Sequence, residues 1–76
     1  MAKLLFNLRN VPEDEAAEVR ALLSGHGLDW YETRAGLWGL GAPALWLRDA
    51  GDYPRARGLL DDYQQARRQS AHEHLR

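Results

Sequence analysis

Cysteine is absent from this chain of 76 residues, and lysine occurs only once, at Lys3. Without cysteine the chain can form no disulfide, no thiolate zinc site and no thiol nucleophile. Arginine supplies all but one of the ten basic residues. A high-GC genome explains that bias as well as any function does, so arginine enrichment alone predicts no binding partner.

Net charge and long apolar runs are also lacking. Ten basic residues are balanced by eleven acidic ones, which gives a formal net charge of -1 and no global electrostatic reason to bind nucleic acid or an anionic membrane. No stretch approaches the roughly 20 apolar residues that span a bilayer. The opening MAKLLFNL lacks a signal-peptide cleavage site. We therefore expect a soluble, cytoplasmic chain.

Hydrophobic residues make up 45% of the sequence and charged residues 28%, a globular composition. The length allows one small domain, near the size at which a single core only just outweighs the conformational entropy of ordering the backbone. A domain of this size would therefore gain from additional stabilisation by a partner chain. We place the domain at residues 1–66, followed by a polar, basic helical extension at 67–76 that projects or frays.

The first part of the chain predicts a strand and then a helix. Residues 3–9 alternate with a period of two, and Pro12 suits the first turn of a helix whose acidic start complements the helix dipole. Gly27 followed by Leu28 predicts a left-handed C-cap with an apolar residue folding back. The apolar stripe of this helix contains Ala16, Val19, Leu22, Leu23 and His26.

The remainder predicts two strands and a second helix. Residues 29–34 are rich in aromatic and β-branched types, and residues 44–48 are short and nearly all apolar. Asp52 can cap the second helix, with Pro54 in its first turn. The buried face of that helix is predicted to contain Ala56, Leu59, Leu60, Tyr63 and Ala66.

The order strand, helix, strand, strand, helix predicts an α+β sandwich. The most apolar strand should be central, which gives the order 1-3-2 with both helices on one face, a ferredoxin-like fold lacking its last strand. The expected helix-facing residues are Leu4, Phe6, Leu8, Trp30, Leu45 and Leu47. The expected uncovered face carries Leu5, Asn7, Tyr31, Thr33, Trp46 and Arg48. An open first-strand edge and this apolar face favour homodimerisation or binding of a protein partner.

Two stretches resemble a small bacterial family of unknown function: LLFNLRNVPEDEAAEVRALL and GLDWYETRAGLWGLGAPALWLRDAGDYPRARGLLDDYQ. The most specific parts are N-L-R-N-V-P-x-D-E and W-G-x-x-A-P-A-L-W-L-R-D. The resemblance implies a distant relationship to signal-transducing domains of PII-like, ferredoxin-like fold. It also implies that longer members continue into a C-terminal transmembrane helix. Arg67, Arg68 and Arg76 would then form a juxtamembrane basic patch, and otherwise a solvated helix end.

The glycine-rich stretch at residues 36–43 does not match a dinucleotide or P-loop pattern, because a strand follows it and no Lys-Ser/Thr pair closes it. We interpret it as a wide connection between strands. The alternative is a binding loop for a small molecule or peptide, with Trp38 and Trp46 as contact surfaces and Arg34 or Arg48 as the anion partner.

Candidates for catalysis are isolated from one another. Glu32, Asp49 and Asp52 could supply an acid or a base, but no pattern pairs them, and neither serine has a neighbouring His and Asp. We expect no enzyme activity and no cofactor. His26 should cap or pack. His72 and His74 are two apart on a helix, so they cannot share a metal ion.

A polar cluster of Asn7, Arg9 and Asn10 follows the first strand. We expect it beside Arg48 and Asp49, with an arginine paired to Asp49; alternatively, Asn7 and Arg48 recognise a partner. The leading functional hypothesis is a non-enzymatic regulatory or interaction module, with Leu5, Asn7, Tyr31, Trp38, Trp46 and Arg48 as contact residues. The alternative is a small-molecule-sensing domain that uses the 36–43 loop.

Overall fold

A computed structural model of the chain describes residues 1–34 and 43–74, with side chains described as far as residue 70. Five main elements follow one another. They are β1 (Lys3–Asn7), α1 (Glu13–Gly25), β2 (Trp30–Thr33), β3 (Ala44–Leu47) and α2 (Tyr53–His74), with a 3₁₀ turn at Ala50–Asp52 before α2. The predicted order of elements is confirmed, and the strands are one to two residues shorter than predicted.

The three strands form one antiparallel sheet in the order β1-β3-β2. The predicted order 1-3-2 is therefore confirmed, and with two helices the architecture is that of a ferredoxin-like α+β fold lacking its last strand. β3 pairs on both sides, which explains why ALWL is almost entirely apolar. Among the strands of the described residues, β1 and β2 lie at the edges of the sheet.

A bulge in β1 changes which residues face the helices. Leu4 pairs with Trp46 and Phe6 with Leu45, so Leu5 is the extra residue between them. Leu5 is 4% exposed and belongs to the core, whereas Leu4 is 45% exposed. The predictions that Leu4 faces the helices and that Leu5 lies on the uncovered face are wrong, because they assumed uninterrupted alternation.

The core lies between the helices and one face of the sheet. Leu45 and Leu47 of β3 are fully buried against Val19 and Leu23 of α1, together with Leu60 of α2. Each such leucine contributes about 1.5–3 kcal/mol through removal of its side chain from water. Trp30 and Leu8, predicted to face the helices, are partly buried against this core. Ala66 of the predicted α2 face is exposed.

α1 ends as the sequence predicts. The N–H of Leu28 donates to the carbonyl of Leu23, and the N–H of Gly27 donates to that of Ser24. Gly27 has a φ of 71°, so these bonds form a Schellman motif in which Leu28 folds back and is buried. His26 is the C-cap residue of α1, one of its two predicted roles, and its side chain is exposed. The His26 carbonyl accepts a hydrogen bond of 2.7 Å from Arg55 of α2.

Asp49 shapes the chain just before α2, and Arg67 joins α2 to α1 farther along. Near its start, the carboxylate of Asp49 accepts the N–H of Gly51 at 2.8 Å and so caps the 3₁₀ turn. Far along the helix, Arg67 reaches the first turns of α1, where its guanidinium lies 2.8 Å from Glu18 and 3.4 Å from Glu15. Arg67, the first residue of the predicted extension at 67–76, therefore contacts α1.

Candidate functional site: the open face of the sheet

The sheet face turned away from the helices carries an aromatic stack. Tyr31 of β2 and Trp46 of β3 are paired in the register, and their rings lie 6.3 Å apart between centroids with an interplanar angle of 7°. Both side chains are half-buried. Strand pleating explains the arrangement, because residues paired across two antiparallel strands point to the same face.

Further contacts hold this stack in place. The indole Nε1 of Trp46 donates to the hydroxyl of Thr33 at 3.0 Å. The guanidinium carbon of Arg48 lies 4.9 Å from the centroid of the Tyr31 ring, a cation–π geometry. Leu4 lies on the other side of Trp46. We call these five residues, Leu4, Tyr31, Thr33, Trp46 and Arg48, the open face.

A charge pair lies at one end of the open face. Nε of Arg48 is 3.2 Å from Oδ1 of Asp29, and both side chains are largely solvent-accessible. The Arg48 N–H also donates to the Asp29 carbonyl at 3.1 Å, which continues the β2–β3 ladder. Because solvent screens such a pair, it contributes at most about 1 kcal/mol to stability. Its effect on the open face is to place a cation and an anion side by side.

The six predicted contact residues do not all lie on the open face. Tyr31, Trp46 and Arg48 come together on the open face. Leu5 lies in the core, and Leu4 takes its place on the open face. The sequence LLF gives no alternating pattern from which the bulge could be predicted. Residues 36–42 of the glycine-rich stretch, which include Trp38, lie outside the described residues.

Asn7 lies at the far end of the sheet from Arg48. Because β1 is antiparallel to β3, Asn7 pairs with Ala44. The predicted proximity of the Asn7 cluster to Arg48 and Asp49 is therefore wrong. Oδ1 of Asn7 accepts the N–H of Arg9 at 2.8 Å, and Asn10 adopts a φ of 63°, so this cluster shapes the turn into α1.

Glu32 is held by an arginine rather than presented as an acid or a base. On the helix side, Nε of Arg20 lies 2.7 Å from Oε1 of Glu32, and a second bond of 3.2 Å joins Nη2 to Oε2. Arg20 also contacts Glu13 at 2.9 Å. Hydrogen bonding from Arg20 lowers the pKa of Glu32, and the bond to Glu32 raises the pKa of Arg20. Glu32 therefore stays ionised at neutral pH.

A second arginine cluster lies between the helices, away from the open face. An open cleft of about 350 Å³ is lined by Glu15, Gln64, Arg67 and Arg68. Arg67 is surrounded by carboxylates of α1 and by the hydroxyl of Tyr63 at 3.4 Å. Burial raises the pKa of the Tyr63 hydroxyl. This arrangement joins two helices, and the arginine is already neutralised.

The described residues provide neither a metal site nor a membrane-spanning helix. Residues 1–34 and 43–70 contain no group of three His, Asp or Glu side chains placed to hold a metal ion. The helices within the same ranges are all too short or too polar to cross a membrane. The side chains of His72 and His74 lie outside the part that is described.

Comparison with known proteins gives a match to a protein family but indicates no function. No curated protein and no solved structure gives a significant match. A protein family does match, over residues 1–76, and so covers both stretches that carry the sequence resemblance. The chain belongs to the family of unknown function DUF6164.

Proposed function

We propose that this chain is a non-enzymatic interaction module that self-associates through the open face. The observation that supports the proposal most strongly is the half-buried stack of Tyr31 on Trp46, with the exposed Leu4 beside it, on the side of the sheet opposite the helices. Clustered apolar side chains at a surface favour a contact that removes them from water.

The charges of the open face favour a second copy as the occupant. Arg48 of the open face and Asp29 at its end lie side by side and are accessible, so the charges at this surface balance. A two-fold axis can bring Arg48 of each copy toward Asp29 of the other. A face dominated by one charge would repel its own copy, whereas this one is self-complementary.

The size of the face predicts weak association. Strands about 4.8 Å apart, each of four or five residues rising about 3.4 Å, give a footprint of roughly 200–300 Å². A stable dimer buries about 800 Å² on each partner. We therefore expect a dissociation constant in the high micromolar range for the face alone.

The first-strand edge is a weaker candidate than the face. β1 carries the bulge at Leu5 and the exposed Lys3, and bulges and edge lysines are features that oppose strand addition. The proposal therefore gives the main contact to the side chains of the open face.

Sedimentation of two charge-matched variants tests the proposal. Leu4→Glu adds a negative charge to the open face, and Gln65→Glu adds the same charge to an exposed position of α2. We expect the wild type and Gln65→Glu to increase in mass between about 20 µM and 1 mM, and Leu4→Glu to weaken association at least tenfold. Equal association of both variants would contradict the proposal.

Several sequence-based predictions accompany this proposal. The distant relationship to PII-like signal-transducing domains, the bacterial origin and the cytoplasmic location stay predictions that derive from the sequence. Small-molecule sensing by the 36–43 loop is the alternative function. A saturable change in tryptophan fluorescence with one compound of a metabolite panel, in a variant that retains Trp38 and lacks Trp46, would favour it.

A further inference from the structure

We propose that the outer edge of β2 pairs antiparallel with β2 of a second copy, so that two three-stranded sheets join into one sheet of six strands. This pairing goes beyond contact through the open face, because it uses backbone groups at a different surface. A face-to-face pair leaves the β2 edge at its periphery, so the two contacts can coexist.

The backbone of β2 shows which groups are available. The N–H of Arg48 donates to the carbonyl of Asp29, so these two residues form a hydrogen-bonded pair of the β2–β3 ladder. In an antiparallel ladder such pairs alternate, so Tyr31 and Thr33 also point their backbone groups toward β3. Trp30 and Glu32 consequently point their N–H and C=O groups outward, away from the sheet.

The two edges of the sheet differ in their suitability for strand addition. β1 contains a register shift between Leu4 and Phe6, which breaks the regular spacing of its outward groups. β2 pairs with β3 without a shift over all four of its residues. An edge with regular spacing is a template for another strand, and a bulged edge is not.

The sequence of β2 is complementary to itself about Tyr31. With Tyr31 opposite Tyr31 of the second copy, the outward groups of Trp30 meet those of Glu32, and four hydrogen bonds form. Glu32 is already paired with Arg20, and Asp29 with Arg48, so the pairing brings no uncompensated like charges together. A register shifted by one residue in each strand would place Glu32 opposite Glu32.

This pairing would enlarge the open face. The two-fold axis is perpendicular to the joined sheet, so the helices of both copies lie on the same side of it. The two Tyr31–Trp46 stacks therefore lie next to each other on the opposite side. The shared apolar surface is then about twice that of one copy, which moves it toward the size that a stable interface requires. Two such sheets stacked face to face would form a closed tetramer with perpendicular two-fold axes.

Amide hydrogen exchange of four consecutive residues tests the inference in the unmodified protein. In the monomer we expect the amides of Tyr31 and Thr33, which face β3, to exchange slowly, and those of Trp30 and Glu32, which face no described strand, to exchange rapidly. We expect exchange at Trp30 and Glu32 to slow at least tenfold between about 20 µM and 1 mM. If the mass rises with concentration while these two amides keep their exchange rates, the edge pairing is overturned and contact through the open face stands.

A matched pair of variants isolates the backbone contribution. Glu32→Pro removes an outward N–H that β3 does not use, and Glu32→Ala removes the same side chain but keeps that N–H. We expect Glu32→Ala to retain the concentration-dependent slowing at Trp30, and Glu32→Pro to lose it. Slowing that persists in a folded Glu32→Pro variant would overturn the inference.

The Leu4→Glu variant separates the two proposals. If it stops at a dimer with Trp30 and Glu32 protected, both the edge and the face contacts are supported. If it associates as strongly as Gln65→Glu while those amides are protected, the edge contact stands and the open-face proposal fails.

Discussion

The indole of Trp46 lies parallel to the phenol ring of Tyr31, with 6.3 Å between their centroids, on the side of the sheet that no described helix covers. The two residues come from neighbouring strands and share one register position. Their stack joins the sheet to the proposed function, because the same pairing that builds the sheet places two large aromatic side chains at the surface.

The bulge in β1 predicts unequal effects for two adjacent leucines. Leu5→Ala creates a cavity in the core and should lower the free energy of unfolding by about 2–4 kcal/mol. Leu4→Ala changes an exposed position of the same strand and should cost less than about 1 kcal/mol. Urea denaturation at low protein concentration measures both. Equal costs, or a larger cost for Leu4→Ala, would show that β1 alternates without a bulge.

The C-terminus of α1 gives a second matched pair. Gly27 has a φ of 71° with open space around its Cα, so Gly27→Ala is opposed by backbone strain alone and should cost about 1–2 kcal/mol. Gly58 lies within α2, also in open space, and Gly58→Ala should stabilise the protein by about 0.5–1 kcal/mol. Thermal unfolding should therefore shift in opposite directions. Two shifts of the same sign would argue against the Schellman motif.

The Arg20–Glu32 pair predicts a loss of stability in acid. Hydrogen bonding lowers the pKa of Glu32 in the folded state below its ordinary value of 4.5, so its stabilising effect is fully present above about pH 4.5 and is lost as the pH falls through the lowered pKa. Glu32→Gln should be less stable than the wild type at pH 7, and the difference should shrink below pH 4. Urea denaturation between about pH 2.5 and 7 checks this. A difference independent of pH would contradict the assignment.

Arg67 and its neighbour Arg68 should differ in their effect on stability. Arg67 lies within 3.5 Å of Asp14 and closer to Glu15 and Glu18, whereas Arg68 is exposed. Arg67→Ala leaves three carboxylates of α1 without their cation, so it should lower the melting temperature more than Arg68→Ala does. Because salt screens the lost attraction, about 1 M NaCl should reduce the difference between the melting temperatures of the two variants. Equal melting temperatures at low salt would count against the cluster.

Much of the fold could be predicted because local signals agreed with one another. The apolar run ALWL indicated a central strand, because strands covered by their neighbours are almost entirely apolar. Gly27 followed by Leu28 indicated the helix end, because glycine readily adopts the left-handed conformation of a helix C-terminus. The positions of Tyr31, Trp46 and Arg48 on one face followed from simple alternation. These predictions needed no knowledge of distant contacts.

Other features depend on contacts between distant residues. The bulge at Leu5 could not be predicted because three apolar residues in a row fit either face. The Arg67 cluster could not be found because its partners, such as Glu18, lie 49 residues away. The prediction that Asn7 lies near Arg48 was wrong because it overlooked that β1 and β3 are antiparallel. The end of β1 therefore lies beside the start of β3.

The most direct test of contact through the open face compares two indole signals in one protein. In NMR spectra, the Nε1–H of Trp46 reports on the open face, and that of Trp30, which donates to Ser24 at 3.0 Å, reports on the helix side. On dilution from about 1 mM to 20 µM, we predict a progressive shift of the Trp46 signal, whereas a shift of the Trp30 signal alone would report pairing of the β2 edges and not contact through the open face. A Trp46 signal that stays constant across this range would contradict the account.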